Sequence, residues 1–507
     1  MFDDARPSSP RSRVLALAVL LALLPFPLAA QQPASPETPT SLSLDQAIRL
    51  AQDNNPTFQA TKNDLTVADA QVRAAYGSLL PSADVSTGFG YTAKGQARYG
   101  SVEFGQQPDY YSSNYSLSFG YQLSGATLLQ PSLSKAQRRA TERTINGASA
   151  DLASQVTQQY LALLQAREQI DQAQKEVART EEHLKLAQAK LDVGSGTPLE
   201  VRQAEVEKGQ ADVALVKAKN DADLQALALG QVTGLPLDPG VQLTTHFEVF
   251  EPKLDPNELV KAALEHNPSL LSSRANVDAA QTGVKAARTA YLPSLSFRLG
   301  WTGSVYQAGD INPLVQQDLG QLQASFQSCN SMNALYQASG LPLQDCSGLD
   351  VSNPALVEQV RQNERDRNSG FPFDYTRQPM QFSVGISLPI FQGFSRRLQL
   401  DRAKAQAEDA RYQVRADQLQ LRQQVTAGVR NLQAAYQTVL LDRQVRASAA
   451  EELRLAQERF RFGAANSIEV TDAQTKLSQA EKDEIAAVYD FHKTLAALEA
   501  LVGQPLR

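Results

Sequence analysis

From Phe394 to Phe462 the chain contains no proline and a single internal glycine, Gly428. At ~1.5 Å per residue a helix over this run extends roughly 100 Å, about three times the hydrocarbon core of a bilayer. No compact domain accommodates such a rod. A matching run lies upstream, from Ser132 to Val193. There Val156, Leu163, Ile170, Val177, Leu184 and Leu191 fall at seven-residue steps beside Leu152, Ala166, Ala173 and Ala187. Downstream the counterparts are Val425, Leu432, Val439, Leu453 and Phe460 beside Leu421, Gly428, Ala435, Ala449 and Ala456. A seven-residue apolar repeat commits a helix to coiled-coil packing, and small residues in the second row let backbones approach closely.

The two rods belong to a duplication. Ser43–Ser82 aligns without gaps to Asp255–Ser294, setting Asn55-Pro56 on Asn267-Pro268 and Leu80-Pro81-Ser82 on Leu292-Pro293-Ser294. Ser154–Pro236 aligns to Gln423–Pro505, setting Gly194 on Gly463 and Gly234 on Gly503. The offsets are 212 and 269, so the second half is longer by 57 residues between Ser294 and Gln423. The expected units are a first repeat over 43–236, a linker over 237–254 and a second repeat over 255–507. Each repeat reads as a capped helix ending at Leu-Pro-Ser, two alternating stretches, the rod, a glycine turn and a final helix. The expected capping boxes pair Ser43 with Gln46, Asp255 with Glu258, Thr197 with Glu200 and Asn466 with Glu469. Gly194 and Gly463 end the rods, which makes each rod one arm of a helical hairpin.

After Leu-Pro-Ser the period drops to two. Val85, Thr87, Phe89 and Tyr91 alternate with Ser86, Gly88 and Gly90. Tyr115, Leu117, Phe119, Tyr121 and Leu123 do the same within an expected β-hairpin over 83–123. Leu295, Phe297, Leu299 and Trp301 mark an expected strand over 295–303, and Phe382, Val384, Ile386 and Leu388 another over 380–390. Four stretches of about ten residues, each with one apolar face and one small polar face, fit a membrane β-barrel wall. Four strands cannot close: an open sheet in lipid strands backbone groups at several kcal/mol each, so chains must share the barrel. Two chains would give about eight strands, an interior just filled by side chains; three would give about twelve, wide enough to leave a passage, and inward-facing glycine and serine favour the wider option.

The opening residues place Arg6, Arg11 and Arg13 before an apolar run from Val14 to Leu24, with Ala29 and Ala30 after it. That order reads as a signal peptide over 1–30, followed by a linker over 31–42, and with no cysteine near the cleavage site a lipid-anchored N-terminus is not expected. A net charge of -6 offers no basic stripe for nucleic acid. Cys329 and Cys346 favour one disulfide in an exported chain, with a pair of free thiols as the alternative. His183, His246, His266 and His492 stand singly, and no nucleophile, base or metal constellation emerges.

These features together resemble the TolC-like outer-membrane efflux protein family. The resemblance is carried by "LDQAIRLAQDNNP", by "LPS" before a strand, by "SLPIFQGFSRR" at Ser387–Arg397 and by "RFRFGAANSIEVTDAQ" at Arg459–Gln474. It implies a mixed α and β membrane protein: a homotrimer whose twelve shared strands, four per chain, cross the outer-membrane lipid and whose helices continue as a periplasmic α-helical barrel. It implies a passive exit duct of a tripartite efflux or type I secretion system, without cofactor. A periplasmic adaptor and an inner-membrane transporter of RND, ABC or MFS type would be its partners. In the family, acidic residues after the second glycine turn ring the periplasmic entrance; the matching positions are Glu469 and Asp472. Such rings favour cations. The family's tyrosine and arginine at the closed mouth fall on Phe460 and Ala465, so that latch is not reproduced. The long segment 304–378 would then be an extracellular loop, a partial lid or a surface contact pinned by the disulfide. A secreted structural coiled-coil or adhesin protein also accounts for the rods and the export signal. An independent diffusion porin would need at least eight strands per chain.

Overall fold

The computed structural model describes residues 41–99 and 102–506. The expected signal peptide, 1–30, and residues 31–40 of the expected linker lie outside them. The first half runs β1 (Ser41–Leu42), α1 (Leu44–Asn54), α2 (Pro56–Gly77), β2 (Ser82–Thr92), β3 (Gly95–Tyr99), β4 (Val102–Gln107), β5 (Tyr110–Leu123), α3 (Gly125–Asp192) and α4 (Pro198–Thr233). After β6 (Gln242–Leu243), inside the expected linker, come α5 (Pro256–His266), α6 (Pro268–Arg288) and β7 (Ser294–Ala308). Then follow α7 (Asn312–Ala338), α8 (Pro354–Arg367), β8 (Thr376–Arg377), β9 (Gln381–Ser387), α9 (Ser395–Arg461) and α10 (Ser467–Val502).

Where the sequence reading has one helix before each Leu-Pro-Ser, the structure has two, divided at Asn-Pro. Proline lacks an N–H and disfavours helical backbone in the residue before it. Asn55 therefore turns extended, its Oδ1 accepts from the Phe58 amide at 3.0 Å and its Nδ2 donates to the Val232 carbonyl at 2.9 Å. Asn267 repeats the arrangement with the Leu270 amide at 2.9 Å and the Leu501 carbonyl at 3.0 Å. Ser43 and Gln46 form the expected capping box. Asp255 does not pair with Glu258; its short carboxylate accepts from the Asn257 amide at 2.9 Å instead.

Helix α3 spans 68 residues and α9 spans 67. The former starts at Gly125, earlier than Ser132, because Ser124 and Thr127 close a cap there, and it carries Pro131 inside its second turn. Each half buries its own core. Val156, Leu163 and Leu229 of the first are matched by Val425, Leu432 and Leu498 of the second, and Ala47, Ala51 and Phe58 by Leu259, Ala263 and Leu270. These pairs are the sequence offsets written as packing.

Strands β2, β5 and β7 form an antiparallel meander, and β8 and β9 both pair with the far side of β7. The strands differ from their expected bounds: β7 runs on to Ala308, β9 ends at Ser387, and the 83–123 hairpin carries β3 and β4 as a smaller hairpin beyond it. Among the described residues the outer edges of β2 and β9 have no strand partner. One face carries Ser82, Asp84, Ser116, Gln122, Arg298 and Thr302 around a groove of about 710 Å³. The other exposes Val85, Phe89, Phe382, Val384 and Ile386.

The segment 304–378, expected as one long loop, contains regular structure. It completes β7, forms α7 and α8, and returns through β8. A disulfide joins Cys329 to Cys346 with their Cα atoms 6.1 Å apart. Among the described residues no helix is long and apolar enough to cross a membrane.

Candidate functional site: the paired helical tips

At the end away from the sheet, α3 and α9 each end in a glycine turn. Gly194 and Gly463 both adopt φ +73°, the left-handed region closed to most side chains. At the first turn the Ser195 and Gly196 amides return to the Lys190 carbonyl at 2.9 Å, and at the second the Ala464 amide returns to Arg459 at 2.8 Å. Thr197 and Glu200 form a full capping box: the Thr197 amide donates to Glu200 Oε2 at 2.7 Å and Thr197 Oγ1 accepts from the Glu200 amide at 3.3 Å. Asn466 Oδ1 accepts from the Glu469 amide at 3.0 Å, but the expected reciprocal bond is missing. The Glu469 carboxylate instead pairs with Arg459, whose guanidinium competes better than a neutral amide for the same oxygen.

Phe460 is 1 % exposed. It anchors a small core with Leu453, Val470, Ala473 and Leu477, and Ala465 packs at the edge of that core. Lys190 crosses from the first hairpin to donate to the Phe460 carbonyl at 2.9 Å, with its ammonium 3.6 Å from the ring centroid. The His183 ring lies 5.7 Å from the same ring, and its Nδ1 is 3.1 Å from Glu207, which also accepts from Thr471 Oγ1. Higher up, Arg179 bonds Glu481 at 2.8 Å and Glu176 at 2.7 Å, and Gln172 reaches Ser478 and Glu481 at 3.3 Å. Burial opposes ionisation of Glu481, yet the hydrogen bonds and charge of Arg179 prevail and hold it below the usual carboxylate range. Glu176, more deeply placed, is pushed up by burial despite the same arginine.

The two hairpins thus meet near their tips mainly through polar and charged bridges, with Leu186 of the first packed against the apolar core of the second. Asp472 is exposed and, among the described residues, forms no hydrogen bond or ion pair. It sits one turn from Lys476, which bonds Glu452 at 2.6 Å. The turns also leave Val193, Leu199, Phe462 and Ile468 exposed. Among the described residues no group of His, Cys, Asp or Glu is arranged to hold a metal ion. Sequence reasoning located the turns and caps at Gly194, Thr197, Glu200, Gly463 and Asn466 but missed Lys190, His183, Glu207 and Arg179. The one available signal was the offset of 269, which sets Lys190 on Arg459.

A family model described as outer membrane efflux protein matches residues 47–235 and 352–504. The outer membrane efflux protein BepC of Brucella suis biovar 1 is 25% identical over 344 residues, covering 68% of this chain and 60% of BepC. The chain thus spans about three fifths of that relative's length. A crystal structure of a membrane protein from Pseudomonas aeruginosa superposes with a TM-score of 0.66 at 18% identity, over 95% of this chain and 97% of that one. CusC, described through its transmembrane channel formation, gives a TM-score of 0.66 at 17% identity over 99% of both chains. At those identities the superpositions speak for the fold, and the family model, which covers most of the chain, speaks for kinship. The chain belongs to the outer membrane efflux protein family and is a protein of the outer membrane.

Proposed function

We propose that this chain is the passive exit duct of a tripartite efflux or type I secretion system. Three copies join β9 of one to β2 of the next, closing a twelve-stranded barrel through the outer membrane. Their rods continue as a hollow α-barrel into the periplasm. The observation that carries this reading is a sheet four strands wide, in which the short β8 and β9 share the place beside β7, with two open edges and an exposed apolar face, joined to helices of 68 and 67 residues. Each open edge in lipid costs several kcal/mol per unpaired group, so association is the stable outcome. Rods of about 100 Å reach far beyond one bilayer toward an inner-membrane transporter. The exposed apolar pairs Val193 with Leu199 and Phe462 with Ile468 supply six tips per trimer for a periplasmic adaptor. The transporter, of RND, ABC or MFS type, supplies energy and substrate choice.

Asp472 forms the entrance ring in this reading. Glu469 contributes little to it, because Arg459 neutralises its carboxylate. The test is conductance in a planar bilayer. Wild-type protein should insert as a heat-modifiable trimer, and Asp472→Ala should raise its conductance and weaken block by multivalent cations, with Glu469→Ala having the smaller effect. A water-soluble monomer would defeat the duct, and unchanged conductance in the Asp472 variant would remove that residue from the entrance.

A further inference from the structure

Beyond β7, the chain pins its insertion to the sheet. Asn368 brackets Ala308, accepting from its amide at 2.6 Å and donating to its carbonyl at 2.7 Å, as a neighbouring strand would. The Gly309 amide donates to the Asp109 carbonyl at 2.9 Å. From there a short strap folds across the strands. Phe371 lies 5.7 Å from Tyr111, Tyr375 lies 4.9 Å from Tyr115, and Phe373 reaches Phe89 at 6.2 Å between centroids. The Tyr375 hydroxyl bonds Ser113 at 3.0 Å, and Ser113 is left 1 % exposed beneath it.

The register decides which face the strap covers. Phe89 pairs with Ser113 and Ser113 with Val305, in the same alternating row as Leu117 paired with Trp301 and Leu299 paired with Phe382. That row is the apolar face. The groove on the opposite, polar face is lined by strand residues and by none from 309–375. A lid over a lumen would have to approach the polar face. The strap instead lengthens the apolar face at the end of the sheet remote from the helical tips, and it leaves Phe373 70 % exposed.

We propose that the insertion is a membrane-interface anchor, seated outside the barrel wall with Phe373 in the headgroup region of the outer leaflet. This rests on the reading of the sheet as a barrel wall. Three observations favour lipid as the occupant. The strap is continuous with the wall's apolar face. Its exposed group is an aromatic ring, the type enriched where hydrocarbon gives way to water. Its attachment to β5 and β7 is by hydrogen bonds and by edge-on and tilted ring contacts, which suits a fixed anchor and would hinder a moving cover.

Trp301 is the only tryptophan and lies on the same apolar face, which makes it an internal reference. The full-length trimer would be reconstituted in phosphatidylcholine vesicles brominated either near the headgroup or deep in the acyl chain. Trp301 should lose fluorescence to the deep bromines. In the double variant Trp301→Phe, Phe373→Trp, fluorescence should be lost mainly to the shallow ones. The exchange at 373 is conservative and largely exposed, and trimer formation on gels checks assembly. Quenching at 373 by aqueous acrylamide without quenching by either lipid would overturn the anchor, as would protection from both. If Trp301 itself escapes brominated lipid, the barrel-wall reading fails, and the two failures are told apart.

Discussion

At the Gly194 tip, Glu200 stays on its cap and Lys190 reaches across to the other hairpin. At the Gly463 tip, Glu469 leaves its cap and the residue equivalent to Lys190, Arg459, holds it at home. The difference traces to the basic residue in the last turn. An ammonium on a flexible stem can seat on a single carbonyl and an aromatic face; a guanidinium fork prefers a carboxylate. Two copies of one turn have therefore taken different tasks. The second tip holds its own glutamate and centres on Phe460, and the first is fastened to it through Lys190, His183 and Leu186.

Phe460→Ala should have the largest consequence. Removing a fully buried phenyl ring typically costs about 3–5 kcal/mol. Hydrogen exchange over residues 455–475 should accelerate by about two orders of magnitude or more, given about 1.4 kcal/mol per tenfold change. Exchange over 185–200 should change less, since the first tip keeps its capping box and its Lys190 bond to a backbone carbonyl. Equal loosening of both tips would show that they act as one unit and would break the comparison.

Arg179→Ala comes next and tests the seam above both tips. It strips Glu481 and Glu176 of their shared counter-charge, and lost charged hydrogen bonds cost about 1.5–3 kcal/mol near neutral pH. The sign with pH is defined. In the native protein Glu481 is held low, so its contribution is present above the ordinary glutamate value of about 4.3 and is lost as pH falls through the lower folded value. Glu176 is raised and works oppositely, its folded form favoured as pH falls. Without Arg179, burial is opposed only by the weaker help of Gln172 and Lys175 at Glu481 and of Lys482 at Glu176, both carboxyls shift upward, and the deficit should narrow on acidification. Thermal melts of variant and native trimer at several pH values would show it; a deficit that stays constant would mean the arginine acts by packing alone.

How much of this was legible in the sequence depends on the distance over which each feature is decided. The rods, the glycine turns and the caps at Ser43 and Thr197 are set by residues within one or two helical turns, and they could be read directly. The alternation in the strands gave both faces of the sheet. The break at Asn55-Pro56 was also local and was read through, because apolar spacing continues across it. The insertion concealed α7 and α8, since its Gln-, Asn- and Ser-rich stretches lack a sustained apolar stripe. Lys190 on Phe460 and Glu207 on Thr471 join residues 270 and 264 positions apart. Such pairs follow from how the hairpins lie together, which no local pattern encodes.

Smaller effects sharpen the comparison further. Gly194→Ala and Gly463→Ala should cost the same, about 1–2 kcal/mol, because both positions share φ +73° and a left-handed alanine carries that penalty. The smallest effect discriminates best. Glu200→Ala removes a bond to the Thr197 amide, whereas Glu469→Ala removes an exposed ion pair with Arg459, worth about 0.2–1 kcal/mol in dilute salt. Near 1 M salt the screening length falls to about 3 Å, so the Glu469 effect should shrink while the Glu200 effect persists. Hydrogen exchange at the two turns, measured in low and high salt, reads both at once. A salt-sensitive loss at the Gly194 turn, or a salt-insensitive one at the Gly463 turn, would mean that the two glutamates had not diverged in the way their partners indicate.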